Sequence, residues 1–189
     1  MEKMVQQSPS DLHRIVLYGP ESTGKTSLAK ALAAHFQTEW VPEFARDFLQ
    51  AKWDREKLPC SLEDLPHIVA GQMQSENECL IKAQYWLFCD TNALVTQVWS
   101  ETHFNGYCAP EILLAANTYH YDFYLLMQPD LPWVKDDLRD RPQAREEMYR
   151  SFEQQLIRRN LPYATIKGRD QKRLQNTLEA LKNWENALR

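Results

Sequence analysis

Eight consecutive residues, Gly19-Pro20-Glu21-Ser22-Thr23-Gly24-Lys25-Thr26, carry the G-x-x-x-x-G-K-[ST] spacing of a phosphate-binding loop. Two glycines let the backbone turn tightly, so that successive amides can converge on phosphate oxygens. Lys25 offers a cation to the β and γ phosphates of ATP, and Thr26 offers a hydroxyl to Mg2+. Glu21, Ser22, Thr23 and the following Ser27 complete the expected nucleotide-binding set. The motif alone does not separate a kinase from an ATPase, a GTPase or a motor.

Four further groups of residues could do chemistry beside that loop. The apolar run Tyr85-Trp86-Leu87-Phe88-Cys89 stops abruptly at Asp90, as a buried parallel strand stops at the end where ligands gather. A carboxylate there can hold Mg2+ directly or through water, or it can cap the next segment. Glu43 and Arg46 follow a short strand and share one helical face, either as acceptor-binding groups or as a surface ion pair. Arg139 and Arg141 belong to a polar segment, residues 131–141. It reads as a lid that closes on phosphates and excludes water, or as a solvated charge run. Trp53 and Trp133 come from stretches that read as irregular, where each could cover an acceptor ring or pack its own loop.

The elements that must position these groups follow from periodicity and turn residues. Strands are expected over 14–18, 38–41, 85–90, 122–127 and 163–166. Helices are expected over 25–36, 62–83, 93–102, 110–119, 142–159 and 170–187, with a helical turn at 43–49. Residues 50–62 read as irregular, a flap over the acceptor, and Ser61 with Asp64 as a variant capping box. Trp99 reads as a packing residue, and His67 and Gln72 as helix-surface residues. Five strands alternating with helices predict an α/β, three-layer fold with a parallel sheet; the phosphate-loop kinase fold that the motif implies puts those strands in the order 2-3-1-4-5. One domain is expected over residues 12–189, behind a loose leader over 1–11.

Composition narrows the partners. Hydrophobic residues make up 43% and charged residues 25% of the 189, enough for a core without disulfides. A formal net charge of -4 disfavours nonspecific nucleic-acid binding. No apolar run approaches the roughly 20 residues that cross a membrane. Cys60, Cys79, Cys89 and Cys108 form no C-x-x-C pair, so reduced thiols in a cytoplasmic protein are expected.

Four pieces together resemble the nicotinamide riboside kinase part of bacterial NadR-type proteins. They are Gly-Pro-Glu-Ser-Thr-Gly-Lys-Thr at 19–26, Val-Pro-Glu-Phe-Ala-Arg at 41–46, Phe-Cys-Asp-Thr-Asn at 88–92 and Gln-Pro-Asp-Leu-Pro-Trp-Val-Lys-Asp-Asp-Leu-Arg at 128–139. The resemblance spans about 12 to 187. It implies transfer of the ATP γ phosphate to the 5'-hydroxyl of nicotinamide riboside, giving nicotinamide mononucleotide. The family often has Asp-Thr-Asp where this chain has Asp90-Thr91-Asn92, so one carboxylate is absent while Asp90 is kept. It often has Asp-Gly-Leu/Ile-Arg at Asp136-Asp137-Leu138-Arg139. The adenylyltransferase and DNA-binding portions of longer NadR proteins are not matched, so neither activity is expected of this chain.

That acceptor carries a cationic planar ring and a ribose, which suit aromatic faces and carboxylates. Glu43 could bind the ribose or take the 5'-hydroxyl proton, and Asp90 could also orient that hydroxyl. Trp53 and Trp133 are candidates for the ring. No N-K-x-D guanine-reading motif is present, which disfavours a GTPase. A kinase for another nucleoside or nucleotide and a regulatory ATPase stay open as alternatives. Oligomeric state is not read from the sequence.

Overall fold

The computed structural model describes residues 4–139 and 141–189. Twelve elements, five strands and seven helices, follow one another among the described residues. They are β1 (His13–Tyr18), α1 (Lys25–Phe36), β2 (Glu39–Val41), α2 (Phe44–Glu56), α3 (Asp64–Leu80) and β3 (Trp86–Asp90). The second half comprises α4 (Ala93–His103), α5 (Pro110–Thr118), β4 (Phe123–Met127), α6 (Arg145–Arg158), β5 (Tyr163–Ile166) and α7 (Asp170–Ala187). The strands form one parallel sheet in the order β2-β3-β1-β4-β5, as expected.

Strand alternation sorts the core into two layers. Ile15, Leu17, Phe88 and Leu125 point to one face and pack against Leu28 and Leu32 of α1 and Leu181 of α7. Val16, Tyr18, Leu87 and Leu126 point to the other, against Ile68 and Met73 of α3, Val98 of α4 and Phe152 of α6. Strands buried on both faces read as continuous apolar runs, which made the central three easy to find. Their carboxyl ends lie level: Leu17 of β1 is opposite Asp90 of β3 and opposite Leu125 of β4. The loops after β1, β3 and β4 therefore gather on one rim, as ligand sites do in open parallel sheets.

One local expectation changes. The irregular stretch over 50–62 is helical as far as Glu56, where Lys57 takes a left-handed conformation (φ 55) and its amide closes on the Trp53 carbonyl at 2.9 Å. No residue of α2 is fully buried, so it lacks the apolar periodicity that reveals a helix. Lys52 also donates to Asp64 at 2.6 Å, tying α2 to the start of α3, and that carboxylate accepts the Ser61 amide at 2.7 Å. Residues 4–10 have no helix or strand, yet they are tied down: Tyr119 donates to the Val5 carbonyl at 2.6 Å, and Arg14 to the Ser8 carbonyl at 2.5 Å.

Beneath the leader, Glu76 of α3 is buried at 1% exposure and accepts the Tyr121 hydroxyl at 2.6 Å. Burial pushes its carboxyl up to about 7, against the opposing pull of that hydrogen bond and of Arg14. A carboxyl raised on folding stabilises the fold most at low pH. That stability is lost as pH rises from the ordinary carboxylate range through about 7. Glu76→Gln keeps an acceptor for Tyr121 without the charge. Between pH 5 and 8, wild type is expected to lose stability relative to this variant, by roughly 3 kcal/mol at most. Denaturant unfolding at the two pH values checks this; equal losses in both proteins would refute it.

Candidate active site

The phosphate loop is built from the end of β1. Gly19 has φ +134, and a Cβ on it would stand 3.0 Å from the Met127 carbonyl, so β4 passes too close for any other residue. Gly24 has φ +79 and opens α1. Thr23 donates to the Pro20 carbonyl at 2.8 Å, closing the loop on itself. The Lys25 ammonium reaches back over it to the carbonyls of Gly19 (3.0 Å) and Pro20 (2.9 Å).

Asp90 ends β3 beside this loop and is fully buried. Thr26 donates to its Oδ2 at 2.5 Å, while its Oδ1 has no hydrogen-bond partner. Burial first, and then the charge of Glu43, push its carboxyl up to about 6. The capping role weighed for Asp90 belongs to Asn92, whose Oδ1 accepts the Val95 amide at 3.2 Å. Asp90 is thus left with a buried oxygen that has no hydrogen-bond partner among the described residues, beside a threonine hydroxyl and a lysine. An oxyanion and a hydroxyl fit a hard cation that takes most of its ligands from phosphates and water. Among the described residues no group of three or more His, Cys, Asp or Glu could hold a metal by itself.

One cleft of about 900 Å³ joins the loop to the far side of the rim. Gly19, residues 21–27 and Asp90 line it, and so do Glu43, Arg46, Trp53, Arg139 and Arg141. Glu43 precedes α2 and makes no capping bond. Arg46 pairs with Asp136, not with Glu43. That hydrogen bond raises the Arg46 guanidinium further. Burial pushes Asp136 up, but Arg46, the Leu138 amide and Arg139 outweigh it and leave the carboxyl below its usual range.

Residues 131–139 cross the cleft from loop to α2. The Val134 amide donates to Ser22 Oγ at 3.0 Å, and Gln50 donates to Asp137 at 3.3 Å. Arg139 is turned along the segment, to the Val134 carbonyl at 2.7 Å, and Arg141 to the Thr102 carbonyl at 2.7 Å. Asp140 lies outside the described residues. Trp133 does not line the cleft; it lies on the loop side, under the Arg145 guanidinium at 5.9 Å.

Several contributors were missed in the sequence. Trp99 and His103 stack at 3.9 Å and 14° and line the cleft together. Their spacing of four on a helix was the available signal. Arg145 donates to the Ser22 carbonyl at 3.1 Å and to the Leu131 carbonyl at 2.9 Å, bracing loop and crossing segment. Arg173 of α7 is buried and donates to Thr23 and Asp130. Nothing in the composition of α7 marks it.

Residues 14–173 match the AAA domain family. The chain belongs to that family. Within it, this AAA domain is 24% identical over 164 residues to the trifunctional NAD biosynthesis/regulator protein NadR of Escherichia coli (strain K12). That alignment covers 86% of this chain and 40% of the relative. It is 27% identical over 131 residues to NadR of Salmonella typhimurium (strain LT2), covering 69% and 32%. The chain therefore spans less than half the length of these curated relatives. The fold is shared with a crystal structure of a NadR protein in complex with NR, at a TM-score of 0.75, 20% identity, and 92% and 51% coverage. It is also shared with a deoxyadenosine kinase from M. mycoides, at a TM-score of 0.64, 8% identity, and 90% and 99% coverage. The resemblance to NadR-type proteins read from the motifs is thus borne out. No helix among the described residues is long and apolar enough to cross a membrane.

Proposed function

We propose that this AAA domain is an ATP-dependent kinase that phosphorylates the 5'-hydroxyl of nicotinamide riboside, giving nicotinamide mononucleotide. One observation carries the reading: Lys25, Thr26 and Asp90 share a single cleft with a second half lined by Glu43, Trp53 and Trp99. The structural likeness to a NadR protein in complex with NR supports the acceptor. The M. mycoides kinase supports phosphoryl transfer to a nucleoside-type acceptor more broadly.

In this reading the loop amides and Lys25 hold the ATP phosphates, and Lys25 neutralises charge on the oxygens that leave with ADP. Thr26 and Asp90 would hold Mg2+, which when bound would supply neutralisation of phosphate charge. The acceptor 5'-oxygen forms a bond to the γ phosphorus as the bond from phosphorus to the β-γ bridging oxygen breaks. Glu43 orients the 5'-hydroxyl and takes its proton. Arg139 and Arg141 approach the transferring phosphate as residues 131–141 close. Trp53 and Trp99 offer ring faces to a planar cationic acceptor, in place of Trp133.

The test is acceptor-dependent ADP release at matched concentrations of nicotinamide riboside, purine nucleosides and uridine. Nicotinamide riboside is expected to be preferred, and Glu43→Gln to lose at least about tenfold on it with ATP binding nearly intact. Equal turnover on uridine would sink the specificity. An unchanged Glu43→Gln rate would sink the role of Glu43. Faster turnover on a purine nucleoside would favour the kinase reading with another acceptor.

A further inference from the structure

Glu43 occupies the position before α2 where a side chain normally turns back to bond the free amides of the helix. It does not do so. The first free amide, that of Phe44, donates instead to Gln72 Oε1 at 2.9 Å. The other end of the same side chain, Gln72 Nε2, donates to the Pro42 carbonyl at 3.2 Å. One carboxamide from α3 therefore grips the backbone immediately before and immediately after residue 43. Gln72 is only 4% exposed and does not line the cleft, so it reaches no ligand.

Its neighbour serves the same turn. Glycine in a helix costs about 1 kcal/mol relative to alanine, yet residue 71 lies inside α3 as glycine. A Cβ there would meet the Phe44 ring at 2.3 Å. The Phe44 ring occupies the space that a side chain at 71 would fill, and it stacks in turn on Phe48 at 5.9 Å. The turn after β2 is held on one side by hydrogen bonds and on the other by close packing, and both come from adjacent residues of α3.

We propose that Gln72 is a positioning residue: it fixes the Pro42–Phe44 turn so that the Glu43 carboxylate is free of capping and held in the cleft it shares with Asp90. A carboxylate that must meet a hydroxyl during transfer gains from a backbone that does not drift, because displacement by about 1 Å can cost on the order of 100-fold. The inference rests on the role given to Glu43 in the proposed reaction.

The experiment is a double-mutant cycle of Gln72→Leu and Glu43→Gln, with amide hydrogen exchange at Phe44 as a readout apart from activity. Gln72→Leu keeps the volume and removes both hydrogen bonds. Phe44 exchange is expected to accelerate at least about tenfold. The kcat for nicotinamide riboside is expected to fall about tenfold or more while the KM for ATP stays within about twofold. In the Glu43→Gln background the further loss is expected to be small, because the carboxylate being positioned is already gone. Equal losses in both backgrounds would overturn the proposal, as would wild-type exchange at Phe44. Where Gln72→Leu does not fold, Gly71→Ala perturbs the same turn through Phe44 and is expected to give the same split between kcat and KM. Full activity of Glu43→Gln would sink the role of Glu43 itself, and Phe44 exchange would then decide the grip of Gln72 by itself.

Discussion

Lys25→Ala is expected to lower phosphoryl transfer by at least about 100-fold, the scale of losing one strong electrostatic stabiliser of a transition state. The fold should survive the change. Among the described residues the ammonium hydrogen-bonds only the carbonyls of Gly19 and Pro20, which belong to its own loop. The loop is otherwise closed by Thr23 and braced by Arg145 and Arg173. Steady-state ADP release beside a thermal unfolding curve makes the comparison. Nearly normal turnover from folded protein would refute the phosphate-loop mechanism.

Asp90→Asn is expected to separate activity from stability in opposite directions. Asparagine keeps an oxygen to accept from Thr26 and removes a fully buried charge whose second oxygen has no partner. Burial already pushes that carboxyl up to about 6, so the folded chain holds its charge at a cost. Thermal stability at neutral pH is therefore expected not to fall. Mg2+-dependent turnover is expected to drop by about 100-fold or more, with nucleotide affinity in the absence of metal little changed. Equal losses in turnover and in metal-free nucleotide binding would mean that Asp90 serves mainly the fold.

The donor half of the cleft was legible because its parts lie next to one another in the chain. A strand, a glycine loop and a helix in sequence define where Lys25 and Thr26 go, and an apolar run ending in an acid announces Asp90. The acceptor half was read less well because its parts are joined only by the fold. α2 faces the cleft, buries nothing completely and so lacks the stripe that marks a helix; Trp53 consequently looked like a loop residue. Gln72 looked like surface because a buried amide and an exposed one are the same letter, and only its two backbone partners tell them apart. Trp133 was misjudged for a similar reason: an aromatic residue in a loop invites a ligand, yet Trp133 does not line the cleft. Trp99 packs against the core, as expected of a helix residue, and lines the cleft as well.

The stretch from Leu131 to Arg139 is fastened to Ser22 of the phosphate loop at one side and to Arg46 and Gln50 of α2 at the other. A strap buckled at both ends cannot slacken over one substrate alone. For a kinase of this build we expect each substrate to strengthen the hold on the other by the same factor, since such coupling is reciprocal. The consequence is a coincidence requirement. On the proposed reaction, transfer is then expected to be fast only when both halves are filled, and ATP hydrolysis without acceptor is expected to be slow.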